Sequence, residues 1–197
     1  MNVFKWNHEW REVPTKGFPR PLLPIDEIEN YFKTADKPFC MYIASDYPHV
    51  PYAKVEGKTA NDFKFYPFNE KSKNNPAKVK QMAGYYKNIE TDNDQLERVL
   101  SFVDKYLDEN TIFIYSADHG ITGKFTVYDR GLNVPFVVRW PGVIKSKTRT
   151  DVMIHYTDVL PTFVEVAGGE APKSIDRKSF LNALKGSKEE IHEYVYG

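Results

Sequence analysis

An α/β layered domain is the fold class that this sequence predicts, and two observations carry it. Three largely apolar runs, at 38–44, 111–117 and 134–140, have strand length and do not alternate with polar residues. That is the pattern of strands covered on both faces. Between and after them, apolar residues recur at three- and four-residue spacing, which is the helical repeat. The 197 residues are 41% hydrophobic and 27% charged, so they can build a sizeable core and do not read as disordered.

The elements follow in chain order. Residues 1–23 are rich in Trp, Pro and charge without periodicity and read as an irregular lead-in. Residues 26–35 read as a short helix, with Asp26 as its cap and Ile28, Tyr31 and Phe32 on its apolar face; Lys37-Pro38 breaks it. Residues 38–44 (PFCMYIA) read as a buried strand, and 45–51 as a loop stiffened by Pro48 and Pro51. Residues 52–75 read as a long, aromatic-bearing surface excursion, which either shapes a sugar site or packs as plain surface.

Asn75-Pro76 is a cap followed by a first-turn proline, so a helix is expected from there to about Leu107. Its apolar stripe is Val79, Met82, Tyr86, Ile89, Leu96, Val99, Leu100, Val103 and Leu107, with Asn93 as a polar interruption. Residues 111–117 (TIFIYSA) and 134–140 (VPFVVRW) are the second and third strands. Asp158 is expected to cap a helix through Ala167, stopped by Gly168-Gly169; 180–184 forms another short helix, and Tyr194 opens a possible strand.

Charge and cysteine content exclude several functions. Lys and Arg number 27 and so do Asp and Glu, so no domain-wide positive field exists to hold nucleic acid or an anionic membrane. No stretch is long enough to span a bilayer, and the first residues lack a signal-peptide pattern, which leaves location undetermined. The single Cys40 rules out an internal disulfide and a cysteine zinc site; its apolar neighbours predict a buried small hydrophobe.

In layered α/β folds, ligands sit beyond the carboxyl ends of the strands. Two loops are placed there, 45–51 and 118–124. Asp118 and His119 offer a carboxylate oxygen and a ring nitrogen to a divalent cation, Gly120 allows a sharp turn, and Lys124 offers an ammonium for an anion. His49 can hydrogen-bond an anion or act as an acid. Taken singly, Asp-His-Gly is also a plain turn and a loop histidine is often structural. The whole set in this order at one edge of a parallel-type sheet is the more specific signal.

The runs AGYYKNIETDNDQLERVL (83–100), ENTIFIYSADHG (109–120), GKFTVYDRGLNVPFVVRWPGVI (123–144) and TDVLPTFVEVAGG (157–169) resemble the sulfatases of the alkaline-phosphatase-like superfamily. PFCMYIASDYPHVPY (38–52) resembles their substrate-loop segment, and the likeness runs in unbroken order over 38–186. The Pro48-His49 turn and Tyr128-Asp129-Arg130-Gly131 look most like the heparan N-sulfatase-type branch. The resemblance implies a three-layer α/β/α domain, present in part. Residues 1–37 lead in, 38–186 form the core and 187–197 open a C-terminal subdomain. It implies metal ligands at Asp118 and His119, usually for calcium, a sulfate-bridging Lys124, and a sulfate- or leaving-group contact at His49. It implies hydrolysis of sulfate esters or sulfamates, with a sulfated small molecule or glycan as substrate. Such enzymes are often periplasmic, secreted or lysosomal.

There are departures. The family's formylglycine forms within [Cys/Ser]-x-[Pro/Ala]-x-Arg, a pattern this sequence lacks, and Cys40 does not fit it. The N-terminal acidic pair of further metal ligands is also absent, and Asn133 stands where many members carry Arg. The expectation is a partial catalytic domain, inactive alone, that needs a preceding N-terminal part as partner. The alternatives are a phosphodiesterase or phosphonate hydrolase of the same superfamily, and a non-catalytic degenerate module.

Overall fold

The computed structural model describes residues 7–63, 75–120, 124, 126–172, 174–175 and 177–195. They fall into two units, Met1–Asp108 and Glu109–Gly197. Residues 64–74 of the 52–75 excursion, Gly123 and the end of the expected strand at Tyr194 lie outside the described residues.

In the first unit, α1 spans Ile25–Thr34. It starts one residue before Asp26, whose side chain therefore does not cap it. Asp26 and Glu27 instead occupy the first turn, where carboxylates complement the helix dipole. Ile25, Ile28 and Phe32 are buried, each worth about 1.5–3 kcal/mol of apolar transfer. They pack against α2, which spans Pro76–Tyr106. Asn75 caps α2 as its sequence predicts, its Oδ1 accepting from the amides of Ala77 at 3.0 Å and Lys78 at 3.3 Å.

The expected stripe along α2 holds at its two ends, where Val79, Met82, Val99 and Val103 are buried, and fails in the middle. There the buried residues are Asn88, Thr91 and Gln95, while Ile89 and Asn93 face outward. The inward face of the central turns is polar because it serves the backbone of the segment beside it.

Residues 38–44 form no strand. Tyr42 is 80% exposed, and Cys40 is exposed rather than buried. An apolar run becomes a buried strand only when a ladder partner lies beside it, and no described strand does. Phe39 packs instead on α1, its ring 5.1 Å from Tyr31 and 5.8 Å from Phe32.

In the second unit, β1 (Phe113–Ser116) pairs with β2 (Phe136–Arg139), Phe113 opposite Arg139 and Ser116 opposite Phe136. Both strands were expected, but the ladder is antiparallel, not the parallel type. The short helix α3 (Asp129–Leu132) precedes β2. A turn at Tyr156–Asp158 leads into α4 (Val159–Val166), and α5 spans Leu181–Leu184. Asp158 does stand at the start of α4 but does not cap it. Fully buried, its carboxylate accepts from the amides of His155 (2.8 Å) and Lys178 (3.2 Å) and pairs with His192 Nε2 at 2.8 Å. Among the described residues, no helix is long and apolar enough to cross a membrane.

Candidate metal and anion site

Strand β1 delivers Asp118 and His119 two and three residues past its end. The strand's end is itself held: Ser116 Oγ donates to Pro135 O at 2.6 Å, and Tyr156 donates its phenolic proton to Ala117 O. The turn that follows needs glycine. Gly120 N donates to Gly131 O at 3.0 Å, and a Cβ on Gly120 would meet Arg130 O at 1.8 Å. The close approach of 130–131 to Gly120 is what bends the chain sharply here.

The turn brings the two expected ligands together. Asp118 Oδ2 and His119 Nε2 lie 3.5 Å apart, with Asp118 83% and His119 29% exposed. Asp118 Oδ1 is occupied by the His119 amide at 2.9 Å. His119 Nδ1 lies 2.8 Å from Gly120 O. A carbonyl only accepts, so Nδ1 carries the proton and Nε2 keeps its lone pair when the ring is neutral. Two acceptors then face each other, and a cation or a proton between them completes the pair.

The spacing fits a metal. Donors 3.5 Å apart can share one ion at the roughly 2.3–2.6 Å bond lengths of calcium while standing at adjacent corners of its shell. Two donors do not fill a shell of six to eight, and no group of three His, Cys, Asp or Glu side chains gathers among the described residues.

Lys124 lies in an exposed turn four residues after Gly120. His49 belongs to the first unit, exposed, between Pro48 and Pro51. Its ring repeats the arrangement at His119: Nδ1 lies 2.9 Å from Val50 O, which assigns the proton to Nδ1 and turns the lone pair of Nε2 outward. Sequence reasoning missed the residues that hold these loops, above all Asn88 and Tyr156. A signal for Asn88 existed in polar residues at 88, 92 and 95, one helix face, following Gly84.

The mixture of helices and paired strands, with a strand-end turn that brings a carboxylate beside an imidazole, is that of a partial α/β domain. The Sulfatase family model matches residues 23–169. An ulvan-active sulfatase of Formosa agariphila is 57% identical over 196 residues, covering 100% of this chain and 39% of the relative. An endo-4-O-sulfatase of Bacteroides thetaiotaomicron is 24% identical over 93% of this chain and 42% of its own length. A protein solved in complex with its substrate D-glucosamine-2-N,6-O-disulfate matches with a TM-score of 0.54 at 24% identity, over 60% of this chain and 26% of that one. The chain belongs to the sulfatase family, of the alkaline-phosphatase-like superfamily, and it spans about two fifths of the curated relatives it matches.

Proposed function

We propose that this chain is the later part of a sulfatase catalytic domain that removes sulfate from a sulfated sugar. The observation that carries the reading is the Asp118 Oδ2–His119 Nε2 pair, 3.5 Å apart at the end of a strand, with the His119 tautomer fixed by Gly120 O. Asp118 and His119 would hold part of a divalent metal site, with calcium the first candidate. A bound divalent cation neutralises negative charge on a sulfate.

The remaining roles belong to this chain's own side chains. Lys124 holds a sulfate oxygen through its ammonium. His49, with Nδ1 tied to Val50 O, meets the substrate through Nε2. Protonated there, it donates to the leaving oxygen; neutral, it accepts. No residue pattern here forms a formylglycine, so the nucleophile and the remaining metal ligands come from sequence outside these 197 residues, and the chain alone does not turn over. Sulfated glycan is the favoured substrate class because the ulvan-active relative is 57% identical over the whole chain.

A chimera tests this directly. The 57% identity permits this chain to replace the matching 196 residues of the ulvan-active relative. Sulfate release from ulvan is expected from the chimera and not from the isolated chain. Lys124→Ala and His49→Ala should each lower kcat/KM, Lys124→Ala by about a hundredfold or more. A folded chimera that releases no sulfate from any sulfated sugar would refute the activity.

A further inference from the structure

We propose that Asn88 is the positioning residue for His49, and that one face of α2 acts as a rail on which the histidine loop is fixed. This rests on the reading of His49 given above. Asn88 is fully buried near the middle of α2, between the apolar ends of its inward face. Its carboxamide hydrogen-bonds to the backbone of the 48–53 segment. Oδ1 accepts from the Ala53 amide at 3.1 Å. The two protons of Nδ2 are shared among His49 O at 3.1 Å, Pro51 O at 3.2 Å and Pro48 O at 3.5 Å.

Those groups need an outside partner. Pro48 and Pro51 have no amide hydrogen, so the loop cannot close a regular ladder of its own. One carboxamide supplies two donor hydrogens and a separate acceptor oxygen at this point, whereas a hydroxyl has a single donor hydrogen and a carboxylate has none.

The neighbouring turns of α2 agree. One turn earlier, Gly84 leaves room for Tyr52 and Ala53: a Cβ there would meet Ala53 O at 2.3 Å and Tyr52 Cβ at 2.8 Å. One turn later, Asp92 Oδ1 accepts from Ser45 Oγ at 2.6 Å, and that hydroxyl in turn accepts from the Tyr47 amide at 3.2 Å. Gly84, Asn88 and Asp92 stand at successive four-residue steps and meet the loop at both flanks and at its centre. Arg20 closes the far side, donating from Nη1 to Val50 O at 3.0 Å, the same carbonyl that orients His49 Nδ1. The loop backbone is thus fixed from two directions while the ring remains exposed.

The consequence is a single tautomer. A free histidine ring favours the proton on Nε2; here Val50 O holds it on Nδ1, and that preference survives only while the loop keeps its shape. Two nuclear magnetic resonance readouts on the full 197-residue chain test this: the His49 imidazole nitrogen shifts, and exchange of the His49 amide. That amide donates to Asp46 O at 3.0 Å and not to Asn88, so its protection reports loop order rather than the deleted bond. In Asn88→Ala, exchange should quicken by about tenfold or more, and the ring should become a tautomer mixture. Asn88→Asp, of equal size but without the donors, should do the same, whereas a space-filling role predicts that it behaves as wild type.

Unchanged exchange and tautomer in Asn88→Ala, with helicity retained, would overturn the proposal. If Asn88→Ala loses helicity, Asn88→Ser is read instead, and a wild-type ring in that variant overturns the proposal equally. Titrating inorganic sulfate into the unsubstituted chain separates the two ideas. If the His49 signals do not move, the anion contact falls while the tautomer comparison still decides the role of Asn88.

Discussion

Replacing Gly120 by alanine should unmake the turn that pairs Asp118 with His119. The added Cβ would sit 1.8 Å from Arg130 O and 2.8 Å from Arg130 C, against an ordinary contact of 3.4 Å or more. The shortfall to oxygen is 3.4 − 1.8 = 1.6 Å, and it involves backbone on both sides. Arg130 cannot retreat alone, because the amides of Gly131 and Asn133 hold its turn through Tyr128 O at 2.8 Å and Asp129 O at 2.8 Å. Relief therefore requires parting 120 from 131, which breaks the Gly120 N–Gly131 O bond of 3.0 Å. The lost bond costs about 1 kcal/mol and the residual overpacking about 1–3 kcal/mol, so about 2–4 kcal/mol in all. With a urea slope of about 2 kcal/mol/M, the midpoint should fall by about 1–2 M.

Gly142 is the control. Its φ of +79° disfavours alanine, but a Cβ there meets nothing within 4 Å, so Gly142→Ala should cost only about 1 kcal/mol. Urea unfolding of both variants, with hydrogen exchange of the β1 amides as a local probe, decides the matter. A Gly120→Ala variant no less stable than Gly142→Ala would refute the argument from close approach.

Two further outcomes follow from buried polar groups. Asp158→Ala strands two amides and His192 Nε2 in a buried site, so it should lose about 3–5 kcal/mol in a thermal melt; a loss under 1 kcal/mol would contradict the assigned bonds. Glu12 has its carboxyl pushed above its ordinary value of 4.5, chiefly by burial, and its Oε1 accepts from the Asp46 amide. A raised carboxyl favours the protonated folded state, so its stabilising contribution is present below about pH 4.5 and is lost as pH rises through the folded value. Glu12→Gln keeps the acceptor without the charge; it should melt higher than wild type at pH 7 and alike at pH 4, and equal melting at both would count against the shift.

Much of this was legible in the residues. Asn75-Pro76 marked the start of α2 because capping is local chemistry, and Asp118-His119-Gly120 marked a sharp turn because the glycine is required by the turn itself. What stayed hidden depends on neighbours far along the chain. The run 38–44 has a strand's composition, yet a strand also needs a ladder partner. The antiparallel sense of β1 and β2 leaves no trace in an apolar run. The middle of α2 was misread because apolar periodicity is blind to buried polar residues, and Asn88 and Gln95 are inward precisely where loop backbone needs partners. Asp158 stands where a helix cap belongs in the sequence, but its carboxylate reaches residues 20 and 34 places further on.

Asp118 and His119 are proposed to supply two ligands of a divalent-metal site whose remaining ligands lie outside these 197 residues. The direct measurement is a calorimetric calcium titration of the chimera carrying this chain, beside its Asp118→Ala variant and the isolated chain. Tight binding by the chimera is expected, with at least about a hundredfold weaker binding after Asp118→Ala and no tight binding by the isolated chain. Equal affinity in the chimera and its Asp118→Ala variant would contradict it.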